Sequence, residues 1–123
     1  MYGLGILGDK VAAFNIRVIK GYQYLAPQED VMSKQFYRSG TSIGANCAEA
    51  QGAQSPADFL TKLHIALKEA NETDHWIESL HIGGFIDQAT ADSMHNDCQE
   101  ICKLLTAIIR NTKQNIANRQ HSK

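Results

Sequence analysis

"SPADFLTKLHIALKEANETDHWIESLHIGGF", Ser55 to Phe85, carries a start, a face and a stop within one stretch. Ser55 stands as N-cap and Pro56 takes the first helical position, where a missing N–H is no loss. Asp58 follows three residues after the cap and sets a carboxylate near the positive end of the helix dipole. Phe59, Leu63, Ala66, Leu67, Ala70, Ile77 and Leu80 recur at helical spacings and make one apolar face. Gly83 and Gly84 break the pattern, so the stretch predicts a helix over 56–82.

The same periodicity extends in both directions. Upstream, Val11, Phe14, Val18, Tyr22 and Leu25 predict a helix over 9–25 that Pro27 ends. Between them, Asp30 is the expected N-cap of a helix over 30–51, with Met32, Phe36, Ile43, Cys47 and Ala50 inward and Gly52 at its end. Downstream, Asp87 caps a helix over 88–115 with Met94, Cys98, Ile101, Leu104, Leu105 and Ile108 inward, beyond which a frayed end is expected. No strand alternation occurs, and connections this short make consecutive helices antiparallel neighbours. The fold predicted is all-α: an up-down antiparallel four-helix bundle occupying residues 1–123 as a single domain.

At 123 residues with 43% hydrophobic and 20% charged side chains, the composition is that of one globular domain. A formal charge of −1 gives no overall pull toward nucleic acid or an anionic membrane. The opening "MYGLGILG" lacks the basic region of a secretory signal, and no run approaches the roughly 20 apolar residues of a membrane span. Cys47, Cys98 and Cys102 are odd in number and do not form a Cys-x-x-Cys pair, which fits a reduced, cytoplasmic protein using them as small core residues.

The segment "SGTSIGANCAEAQG", Ser39 to Gly52, is rich in small residues inside a predicted helix. A helical glycine costs up to about 1 kcal/mol relative to alanine. Gly40 and Gly44, at i and i+4, therefore point to a close helix contact, within the bundle or between subunits; a weak, irregular helix centre is the alternative. Asn46 lies about 60° from the apolar centre of this helix, so its amide needs a partner. Glu49 lies farther round, where bonding to a neighbouring element is its expected role.

"FYRSGTSIGANCAEAQGAQSPADFLTKLHIALKEANETDHWIESLHIGGFI" resembles the centre of the bacterial 23S ribosomal RNA intervening-sequence proteins. Arg38, Ser42, Ile43, Asn46, Ala48, Glu49, Ser55, Phe59, Ala66, Ala70 and Glu72 stand at places corresponding to that family's pattern. Gly44 stands where the family has Pro, Cys47 where it has Ile and Ala50 where it has Gly, departures that touch the bend of the second helix. The resemblance implies a homo-oligomer, a pentamer by similarity to the accessory variability proteins of diversity-generating retroelements, which associate with RNA and a reverse transcriptase. It also marks Arg38, Gly40, Ser42, Ile43, Gly44, Asn46 and Glu49 as structural or assembly residues, and it implies no defined activity.

Helix bundles host di-metal sites built from Glu-x-x-His motifs, and Glu72/His75 and Asp92/His95 each place an acid and a histidine at i, i+3. At 100° per residue all four fall away from the apolar stripes, and the first helix offers Asp9 alone as a carboxylate, so no metal site within the chain is expected, and a fortuitous or intersubunit surface cluster is the alternative. No Ser or Cys sits in a strained glycine turn. His64 and His81 are single helical histidines, and Arg119 and His121 are too close together and too terminal for a ribonuclease pair. No catalytic residue and no cofactor are expected.

Phosphate contacts require clustered cations. The candidates for nucleic-acid binding are Arg17 and Lys20 on the first helix, beside Lys10, and Arg110, Lys113 and Arg119 on the last, followed by Lys123. Trp76, far from its helix's apolar stripe, is the candidate for a protein partner surface, with packing against the second helix as the alternative. The partners expected are thus a second copy of the chain and RNA or a ribonucleoprotein, with no membrane; a scaffold that binds protein alone is the competing expectation, and a metal-dependent enzyme a remote one.

Overall fold

The computed structural model describes residues 4–121 as four α-helices: α1 (Ile6–Leu25), α2 (Val31–Gln51), α3 (Pro56–Ile82) and α4 (Gln88–His121). Each helix lies beside its neighbours in the order α1, α2, α3, α4 and α4 closes back on α1, while the backbones of the diagonal pairs α1/α3 and α2/α4 stay farther apart. This is the antiparallel four-helix bundle that the periodicity predicts. Its seams are unequal: α2 and α3 share the most extensive contact and α1 and α4 the least. The core runs down the axis through Leu7, Val18, Ile43, Leu63, Leu80, Ile101 and Leu105, all almost fully buried.

The caps follow local chemistry. Ser55 Oγ accepts the Asp58 N–H at 3.1 Å, and Asp58 returns by accepting the Gln54 N–H at 3.3 Å. At the far end of α3 the Phe85 N–H reaches Leu80 O and the Gly84 N–H reaches His81 O, each at 3.0 Å, the crossed pair of bonds that closes a helix through a left-handed residue. Gly84, with φ +81°, is that residue, a conformation a side chain would strain. Asp87 caps α4 as expected, its carboxylate accepting the Thr90 N–H at 2.8 Å; bonds from Thr90 hold that carboxyl below its ordinary value.

Three boundaries differ from the sequence reading. Asp30 makes no capping bond to α2; Glu29, one residue earlier and one methylene longer, accepts the N–H groups of Val31 and Ser33 at 3.0 Å each. α1 begins at Ile6, ahead of Asp9, because Leu4 and Leu7 carry the buried stripe a turn farther back and leave Asp9 in the first turn, where its charge suits the dipole. α4 continues past Asn115 to His121. Neither Gly nor Pro interrupts it, and Arg119 and His121 lie in its last turn, where positive charge favours the carbonyl end. Lys123 lies outside the described residues.

Candidate functional site

The small-residue segment lies on α2, and the structure divides its two glycines. A Cβ at Gly40 would come within 2.6 and 2.8 Å of the Val18 methyls, whereas one at Gly44 would meet Val11 at an ordinary 3.5 Å. The close approach is therefore between α1 and α2 at Gly40. Asn46 finds its partner within its own helix, donating to Ser42 O at 2.9 Å, and Ser42 Oγ in turn donates to Arg38 O at 2.6 Å. Ile43 is buried in the core.

Arg38 and Glu49 face the other way, toward α3. Arg38 forks across two carboxylates one turn apart, Glu72 at 2.6 Å and Glu69 at 3.2 Å, and Glu49 meets Lys62 at 3.6 Å. Beneath this fork the buried hydroxyls of Thr73 and Ser39 lie 2.9 Å apart. Glu69 and Thr73 are the polar residues that α3 buries; α2 supplies the ion-pair partner of Glu69, and Thr73, which donates to Glu69 O within its own helix at 2.7 Å, also meets the Ser39 hydroxyl of α2. The motif of α2 is thus a clasp: small side chains admit α1 on one flank, and a charged fork holds α3 on the other.

The acid–histidine motifs come apart. Glu72 belongs to Arg38, and His75 lies edge-on to Trp76 with ring centroids 5.0 Å apart. Asp92 accepts from Gln88 at 2.8 Å, while His95 turns to Asp74 of α3, with Nδ1 2.8 Å from the carboxylate that Gln99 also bonds at 3.1 Å. Among the described residues no group of three or more His, Cys, Asp or Glu side chains could hold a metal ion. The three cysteines are buried free thiols, and burial pushes Cys47 up to about 11 and Cys98 and Cys102 upward as well. Such thiols remain protonated at neutral pH and are poor nucleophiles.

Trp76 is half-buried against the core, so it does not offer the open aromatic face the sequence suggested. It stands on the flank of α3 that carries Glu69 and Thr73 toward α2, and its indole N–H is sealed from solvent without an acceptor among the described residues.

The structure separates the basic candidates. Arg17 is occupied, bonding Asp97 at 2.6 Å and Ser93 at 3.0 Å, and Lys10 pairs with Glu100 at 2.9 Å. Lys20 is exposed without an ion pair among the described residues. Arg110, Lys113 and Arg119 are exposed on the final turns of α4, and none is in an ion pair there. From Asp97, which marks Arg17's height, to Arg110 is a climb of about 20 Å at 1.5 Å per residue, so the two groups form no common patch within one chain.

Sequence reasoning missed one member of the distal group. Lys103 is exposed, without an ion pair among the described residues, and two turns before Arg110 on the same side of α4; its i, i+7 spacing was the available signal. After Glu100 the chain contains no acidic residue, so nothing on α4 itself neutralises this end.

An antiparallel helix bundle with an arginine clasp across α2 and α3 and a basic end on α4 free of ion pairs among the described residues is the class of protein these features define. The chain belongs to the 23S rRNA-intervening sequence protein family, whose profile matches residues 8–107. It is similar to the crystal structure of a protein of unknown function from the S23 ribosomal protein family of Bacteroides thetaiotaomicron VPI-5482. The two share 51% identity with a TM-score of 0.83, over 85% of this chain and 98% of that one. No curated protein matches the sequence.

Proposed function

We propose that the protein acts without catalysis, as a homo-oligomeric adaptor in the cytoplasm that engages RNA or a ribonucleoprotein through the distal half of α4. The observation that carries this reading is the series of unpaired cations on the distal half of α4. Lys10, Arg17, Arg38 and Lys62 are paired with carboxylates, whereas Lys103, Arg110, Lys113 and Arg119 are exposed, free of ion pairs among the described residues, and without an acidic neighbour downstream. Free cations are the groups that exchange counterions for phosphates. The family's description as ribosomal RNA intervening-sequence proteins supports the same partner class.

Self-association is supported by α1, which exposes Ile6 at 67%, Ile16 at 54% and Tyr24 at 67%. A pentamer, the number implied by the family resemblance, would repeat the basic helix five times and convert weak phosphate contacts into avidity.

The test is native mass spectrometry at low salt together with RNA binding titrated against salt. An oligomer whose affinity falls with salt is the expected result. Arg110→Ala with Lys113→Ala should flatten the log–log salt dependence by ~0.7 for each phosphate of single-stranded RNA that is no longer neutralised. A monomer that binds RNA no more weakly after these substitutions would overturn the proposal.

A further inference from the structure

The weakest seam of the bundle, between α1 and α4, opens into a cavity of about 300 Å³. All four helices wall it: Leu25 of α1, Phe36 of α2, Ile77 and Leu80 of α3, and Met94 of α4, with Ile86 from the turn before α4. The lining is almost entirely apolar, with Thr90 the one uncharged polar side chain. Gly21 keeps it open. A Cβ there would rest 3.5 Å from the Phe36 ring, so a larger residue would grow straight into the space. An apolar cavity of about 150 Å³ can hold a benzene ring, so one of this size takes a longer hydrocarbon body.

The mouth has the opposite character. Arg17 and Lys20, one turn apart on α1, are its charged lining residues, and no carboxylate lines it. Asp97 stands nearby but is matched by Arg17 at 2.6 Å, and Asp87, which lines the adjoining recess with Lys20, is engaged by the Thr90 N–H at 2.8 Å, which leaves the Lys20 ammonium without an ion pair among the described residues. Pockets of apolar walls with a few placed polar groups bind small amphiphiles in the orientation those groups dictate. We propose that this cavity binds an apolar monocarboxylate of medium chain length, its hydrocarbon between α1 and α4 and its carboxylate on Lys20. The site lies at the other end of the bundle from Arg110 and Lys113 and is independent of the RNA reading.

Decanoate, kept below its micellar concentration, is the probe, titrated into the full-length protein by calorimetry. One saturable site per chain is expected. Decanol, with the same chain and no charge, should bind about tenfold more weakly or worse, and Lys20→Gln should lower decanoate affinity to a similar degree. Gly21→Leu should abolish binding by filling the cavity while circular dichroism reports an intact fold. Should Gly21→Leu unfold, Lys20→Gln decides, because that side chain is exposed and unpaired among the described residues. Absence of saturable binding, or equal affinity for decanol and decanoate, or indifference to Lys20→Gln, overturns the proposal.

Discussion

Alanine at Gly40 and alanine at Gly44 should move stability in opposite directions, although the two lie one turn apart on the same helix. Both substitutions relieve the helix of a glycine, which is worth up to about 1 kcal/mol. At Gly44 the new methyl meets Val11 at 3.5 Å, an ordinary contact, so a gain of about 0.5–1 kcal/mol survives. At Gly40 it would stand 2.6 Å from one Val18 methyl and 2.8 Å from the other. Carbon pairs sit best at about 3.5–4.0 Å, so the deficit is close to 1 Å. Rotation cannot remove it, because both branches of Val18 are in the way, the side chain is fully buried, and χ1 of a helical valine is nearly fixed. Helices α1 and α2 must separate, an overpacking cost of about 1–3 kcal/mol. Set against the propensity gain, Gly40→Ala should lose about 1–2 kcal/mol net. Urea unfolding at one fixed protein concentration reads this as a shift of midpoint at constant slope, upward for Gly44→Ala and downward for Gly40→Ala. Adding Val18→Ala should rescue Gly40→Ala with a coupling of about 1 kcal/mol or more. If Gly40→Ala stabilises as much as Gly44→Ala, the close approach of α1 at Val18 is refuted.

Two further outcomes follow from the polar contacts. Arg38→Ala strands Glu69, whose side chain is 10% exposed, beside the better-solvated Glu72 at 33%. The loss should fall between that of a surface pair and a broken buried one, about 1–3 kcal/mol, and Arg38→Lys should recover only part because an ammonium cannot fork across two carboxylates. Urea midpoints within experimental error of the parent would rule out the clasp. For Glu29, burial pushes the carboxyl up, but the N–H groups of Met32, Ser33 and Val31 outweigh it and hold the group below its ordinary 4.5. The unfolded chain thus takes up the proton first, so Glu29's contribution is present above pH 4.5 and fades as the pH falls through the folded value. The gap in urea midpoint between wild type and Glu29→Gln should narrow from pH 7 to pH 3; a gap independent of pH would exclude the carboxylate cap.

Elements governed by neighbours three or four residues away were legible in the sequence by itself. Ser55, Pro56 and Asp58 start α3, Gly84 stops it, Asp87 starts α4, and the apolar spacing gives four helices whose short connections leave an antiparallel bundle as the arrangement. The same one-dimensional reading placed Gly40 beside Gly44, Glu72 beside His75 and Asp92 beside His95, because proximity along a helix is all that spacing reports. Tertiary structure decided what those residues touch. Seating Val18 on Gly40 brings α1 against α2, and the register of α2 along α3 gives Glu69 and Glu72 to Arg38 and Thr73 to Ser39. The register of α4 along α3 likewise sends His95 to Asp74 and away from its own Asp92. Cap choice at α2 passed from Asp30 to Glu29 through side-chain reach, and the cavity behind Gly21 exists only because four helices leave it unfilled. Periodicity fixes which face of each helix turns inward; the axial offset between helices, set by the fit of side chains across the seams, determines which polar groups meet and where space remains.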